Sequence, residues 1–153
     1  MTRHLCLTLL VSLTMAADGP DAAPGEDAAA KDLAKLQGKW KLVETDSDGT
    51  VTKSDGDGHV IGIEKELMIG YDAEGGVAAK DSIKLDPAKS PKAMDLTCVF
   101  NVLFPGQKGK TYQVDKDELK LVFPYAPFRQ RPKEFTTKEG SHFGEFTYKR
   151  VKP

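Results

Sequence analysis

The feature that most constrains this chain is a hydrophobic period of two that sets in at residue 38. Leu119, Leu121 and Phe123 alternate with charge in 118–123, so an extended backbone there has one apolar face and one wet face. The same spacing recurs with Trp40 and Leu42 in 38–44, Ile83 and Leu85 in 78–85, and Phe146 and Tyr148 in 143–150. Met94, Leu96, Cys98 and Phe100 repeat it in 93–101, and 59–64, 66–71 and 110–114 complete eight segments. Short strands at regular spacing, joined by turns such as Glu64-Lys65 and Asp115-Lys116-Asp117, predict an all-β antiparallel sandwich or barrel.

Connection lengths favour the barrel. Those after the second, fourth and sixth strands are short or proline-stiffened (64–65, 86–92, 115–117). Those after the first, fifth and seventh are long or rich in Gly and Pro (45–58, 102–109, 124–142). Alternate loops of an up-and-down barrel gather at opposite ends, so the pattern predicts a cup with one tight and one elaborated end. Ahead of it, 29–37 reads as a short helix, with Leu33 and Leu36 three apart and Gly38 as its stop.

The N-terminus has the three parts of a secretory signal: Arg3 and His4, an apolar run over 5–13, and the small residues Ala16 and Ala17. A helix over that run rises about 13 Å against roughly 30 Å of hydrocarbon, too short for a stable membrane span. No cysteine follows the small residues, so no lipid anchor is expected. The expected organisation is a signal over 1–17, a disordered spacer of Ala, Asp, Pro and Gly over 18–30, and one domain over 31–153, periplasmic or extracellular. Cleavage takes Cys6 away. Cys98 is then a lone thiol without a disulfide, expected as an inert packing residue on the apolar face of its strand. With 22 basic and 23 acidic residues the net charge is −1, which offers no pull toward nucleic acid or an anionic membrane.

Gly38-Lys39-Trp40, directly after a short helix, resembles the Gly-x-Trp element that opens the first strand of lipocalins. In that fold an arginine from the end of the last strand lies across the tryptophan, and Arg150 ends the last strand here. Residues 36–43 (Leu-Gln-Gly-Lys-Trp-Lys-Leu-Val), 83–87 (Ile-Lys-Leu-Asp-Pro), 91–96 (Pro-Lys-Ala-Met-Asp-Leu) and 131–135 (Arg-Pro-Lys-Glu-Phe) resemble, in order, a lipocalin-like domain family common in planctomycete bacteria. That family has no established function. The resemblance implies an eight-stranded lipocalin-like β fold, a structural Trp40–Arg150 pair and an exported setting, and it carries over no catalytic residue.

The sequence has no Gly-x-Ser-x-Gly elbow, phosphate loop, dinucleotide fingerprint or Cys-x-x-Cys. His59 and His142 stand beside Gly- or Ser-rich turns and read as solvated. Asp46, Asp48, Asp55 and Asp57 begin the alternating acids of a calcium loop, but Thr50 and His59 break the pattern, leaving a solvated turn. No carboxylates are marked as a converging pair. Neither enzyme, metal nor cofactor is therefore expected.

The most informative loop is 124–135, where Tyr125, Phe128 and Phe135 mix with Arg129, Arg131 and Lys133 among prolines. It either borders the open end, with an arginine for an acidic head group, or plugs the barrel, with Arg131 bonded to carbonyls. Leu42, Ile69, Phe100, Tyr112, Leu121 and Phe123 are the expected interior, with Tyr125, Phe128 and Arg131 near the mouth. The function these residues favour is non-catalytic binding of a small apolar or amphipathic molecule. The alternative is a structural or protein-interaction module with a filled interior.

Overall fold

The computed structural model describes residues 24–54, 59–101, 109–125 and 130–152. The expected signal, residues 18–23 of the expected spacer, Asp55, Asp57, Phe128 and Arg129 lie outside these. The described residues form one helix, α1 (Pro24–Leu36), and nine strands: β1 (Gly38–Ser47), β2 (Thr50–Lys53), β3 (Val60–Glu64), β4 (Leu67–Tyr71), β5 (Val77–Asp86), β6 (Ala93–Phe100), β7 (Lys110–Val114), β8 (Glu118–Pro124) and β9 (Phe143–Arg150).

Two expectations need correction. α1 starts at Pro24, so residues 24–30 are helical and not part of a spacer. Their composition also suits a first turn: a proline opens it, where a missing N–H costs nothing, Glu26 and Asp27 face the helix dipole, and alanines follow. The second correction is β2, which falls within the connection expected over 45–58. Asp48 and Gly49 both adopt left-handed φ (54° and 89°), the geometry of a two-residue hairpin turn that matches strand twist. All four residues of β2 are exposed, so it shows no alternation.

All the strands are antiparallel in one sheet. β2 hangs on the far end of β1 alone, while β1 pairs with β3 on one side and with β9 on the other. The pairing of β1 with β9 runs from Trp40 opposite Arg150 to Ser47 opposite Gly144, so the order β1-β3-β4-β5-β6-β7-β8-β9 returns to β1 as a ring. Alternation puts Trp40, Leu42, Tyr112, Leu119, Leu121 and Tyr148 on the inner face, where each is buried in one apolar cluster with Leu36 of α1.

The turns at 65–66 and 115–117 and the 87–92 connection lie at the end that α1 covers, and side chains fasten them. Gln37 accepts the Lys65 N–H (2.7 Å) and donates to the Lys65 carbonyl (3.0 Å). Asp32 accepts from Lys92 Nζ (2.6 Å) and from the Tyr112 hydroxyl (2.8 Å). Burial works to raise the Asp32 carboxyl, but those two hydrogen bonds and the charges of Lys92 and Lys35 outweigh it and hold the group below its ordinary value.

Arg150 does most at this end. Its guanidinium carbon stands 4.0 Å from the centre of the Trp40 ring. Its nitrogens donate to the carbonyls of Gln37 (2.5 Å), Lys35 (2.6 Å) and Lys116 (2.7 Å), so one side chain joins the helix C-terminus, β9 and the β7–β8 turn. We expect Arg150→Ala to lower the unfolding free energy by about 2–4 kcal/mol, the sum of a cation–π contact and charged hydrogen bonds. Arg150→Lys should recover less than half of that, because an ammonium cannot fork across three carbonyls. Urea titration of the three proteins checks this, and an alanine variant as stable as wild type contradicts it.

Candidate functional site

Beyond the packed layer at the α1 end, the inner face of the ring carries two charges. β5 alternates Ala79, Asp81, Ile83 and Leu85 on one face, with Asp81 opposite Met68 of β4 and Cys98 of β6. β7 alternates Lys110, Tyr112 and Val114, with Lys110 opposite Met94. Ile83, Met94 and Tyr112 belong to the core cluster, so Asp81 and Lys110 face the interior. Asp81 is 4% exposed and Lys110 fully buried.

The environment strains both charges. Desolvation pushes the Lys110 ammonium down to about 7, against the opposing pull of Asp81. Desolvation likewise raises the Asp81 carboxyl, with Lys110 opposing. Lys110 Nζ sits 5.2 Å from the centre of the Phe123 ring, which packs edge-on against Phe146 at 4.6 Å. Asp81 Oδ2 is buried and has no hydrogen-bond partner. A buried carboxylate oxygen left in that state costs stability, which makes the position a candidate site.

The structure sorts the residues expected from sequence. Leu42, Tyr112 and Leu121 lie in the core cluster, and Phe123 is buried with its neighbours from the same strand. The Tyr112 hydroxyl is already spent on Asp32, and burial with that bond raises the phenol well above its ordinary range. Ile69 is buried but on the outer face, paired with Gly62, over which the Tyr71 ring lies. Phe100 is a clear correction: it is 53% exposed and pairs with Lys80 on the outer face. Between Lys80/Asp81 and Phe100/Cys98 the register slips, so Val99 is an extra residue and the inward alternation of β6 ends at Cys98. Tyr125, at the end of β8, is 44% exposed and edge-on to Phe123 (5.8 Å). Cys98 is exposed, with its Sγ 2.7 Å from the Asn101 carbonyl, and is not the packed thiol expected.

Arg131 meets the carbonyl expectation. β6 and β7 share only the pairs Ala93–Thr111 and Met94–Lys110 among the described residues, the thinnest seam of the ring. The Arg131 guanidinium donates to the carbonyls of Lys110 (2.5 Å) and Met94 (3.4 Å) and to Asp95 Oδ1 (2.6 Å), so it clasps that seam. Arg131→Ala should therefore cost about 1–3 kcal/mol of stability, measured by urea unfolding. Unchanged stability would contradict the clasp.

Asp48 also acts within the fold. It accepts from the backbone N–H groups of His142 (2.7 Å) and Gly140 (3.0 Å) and from the Ser141 hydroxyl (3.1 Å), and these bonds, that of His142 foremost, hold its carboxyl below the ordinary range. No group of three or more His, Cys, Asp or Glu among the described residues is placed to hold a metal ion. Sequence reasoning missed Asp81 and Lys110, although each shares the parity of the apolar residues on its strand.

The sign of the pH dependence follows from Lys110. Between about pH 7 and pH 10 the unfolded chain keeps on this lysine a proton that the folded chain has lost. Stability therefore rises with pH across that window, by up to about 1.4 kcal/mol per pH unit. Above about pH 10 it falls again, because burial keeps Tyr148 and Tyr112 protonated in the fold while they ionise in the unfolded chain. Thermal unfolding across this range should show the rise. In Asp81→Leu/Lys110→Met the rise should vanish, with stability at pH 7 no lower than wild type. A flat wild-type midpoint from pH 7 to about 9.5 contradicts the assignment.

Comparison with protein-family models, with curated proteins and with solved structures finds no match to this chain.

Proposed function

We propose that the chain is an exported, lipocalin-like barrel that holds one small amphipathic molecule inside its ring of strands and does no chemistry on it. The observation that carries this reading is the pair Asp81 and Lys110, two charges buried on an inner face that is otherwise largely apolar. A protein that needed only a stable core has no use for them, since apolar residues of similar size are as good or better. A ring of eight strands, with β2 outside it, is just wide enough to be filled by its own side chains or to hold one small ligand. The Trp40–Arg150 stack beside α1 is the arrangement that the lipocalin resemblance implies. It supports a closed end there and an entrance at the opposite end, where Phe123 and Tyr125 lie. The signal-like N-terminus supports a setting outside the cytoplasm.

The reading is tested by titrating the full chain with a fluorescent apolar probe, N-phenyl-1-naphthylamine. Wild type should take up the probe. Phe123→Arg should weaken uptake at least tenfold, whereas Phe100→Arg, on the outer face, should leave it unchanged. No probe uptake, together with only the bare protein mass in native mass spectrometry, would overturn the reading in favour of a filled structural or interaction module.

A further inference from the structure

The interior pair also constrains the ligand's polar head. Asp81 comes from β5 and Lys110 from β7, with only β6 between them in the ring. They interact across the interior, yet Asp81 Oδ2 receives no hydrogen bond from Lys110 or from any other group. The scaffold thus leaves one buried acceptor open beside one buried cation, with the Phe123 ring alongside.

Three head groups can be weighed against that arrangement. A carboxylate would suit Lys110 but would bring a second negative charge against Asp81. An ammonium would suit Asp81 but would face Lys110. Below about pH 7, where Lys110 keeps its proton, either adds an unbalanced charge to a site whose own two charges offset each other, at a depth where screening by water is weak. A hydroxyl adds no charge and can donate to Asp81 Oδ2. It can also accept from a protonated carboxyl, so it satisfies this residue in either protonation state.

Resting on the binding reading above, we infer that the ring selects an uncharged amphipathic ligand with a hydroxyl head, such as a long-chain alcohol, and that Asp81 Oδ2 is the acceptor that recognises it. Lys110 then acts as the counter-charge that lets a carboxylate stay in the interior, and Phe123 contacts the start of the apolar tail.

The experiment is displacement of bound N-phenyl-1-naphthylamine from the full chain at about pH 6, where Lys110 keeps its proton, by 1-hexadecanol, hexadecanoate and hexadecylamine, which share one tail. On wild type the alcohol should displace the probe at a concentration at least tenfold lower than either charged compound. In Asp81→Leu the alcohol should lose at least tenfold. That variant leaves Lys110 buried without its counter-charge, so Asp81→Leu/Lys110→Met, which removes both charges, is measured beside it. The double variant should keep probe uptake and bind the alcohol no better than Asp81→Leu does. Hexadecanoate or hexadecylamine displacing as well as the alcohol on wild type, or an undiminished alcohol affinity in the double variant, overturns the head-group inference while the binding reading stands. Absence of probe uptake by wild type overturns both.

Discussion

A meander of antiparallel strands ends in two open edges unless its first strand finds its last. Everything described here depends on β1 meeting β9. That meeting gives each strand of the ring an inside and an outside, and it pairs the two edges that β1 and β9 would otherwise leave open. It is also the pairing most distant in sequence, so its loop-closure entropy must be offset by contacts made at the join. Arg150 supplies them where β1 and β9 start and end together: it covers Trp40 and takes the carbonyls that α1 leaves unsatisfied. The helix is thus held by the same residue that closes the sheet.

Asp81 and Lys110 oppose this economy. Both sit where apolar side chains would extend the core, and the displacement of Lys110 toward neutrality measures how unwelcome its charge is there. In a small domain, whose net stability is on the order of 5–15 kcal/mol, such a pair weighs against the fold. The fold isolates the cost well. Asp32, another buried acid, has two donors and sits at the α1 end, while Asp81 keeps an oxygen without one.

Much of the ring was legible in the sequence, because a buried inner face and a wet outer face force a period of two. The eight ring strands were found for that reason, and so was the Trp40–Arg150 pair through its resemblance. The misreadings have local causes. Residues 24–30 look like spacer by composition, yet alanines after a proline and two acids also make a good first turn. β2 has no buried face, although its Asp48-Gly49 turn is a strong hairpin signal. Phe100 obeys the alternation of β6 in sequence, and only the bulge at Val99 turns it outward. No periodicity argument shows an inserted residue. Asp81 and Lys110 escape the pattern for a different reason: a charge ordinarily marks an outward face, whereas parity with Ile83 and Tyr112 puts both inside.

The ring therefore divides along its axis. At the α1 end, Gln37, Asp32 and Arg150 tie short turns together. Toward the other end the long connections leave from β6 and β8, and among the described residues Met94–Lys110 is the last pair that β6 and β7 share. Arg131 binds the two strands at that last pair, on the carbonyl of Lys110 itself. The backbone of the interior lysine is thereby fixed from outside the ring by Arg131. The long connections can then vary without loosening the closure, so long as Arg131 and Arg150 keep their carbonyls.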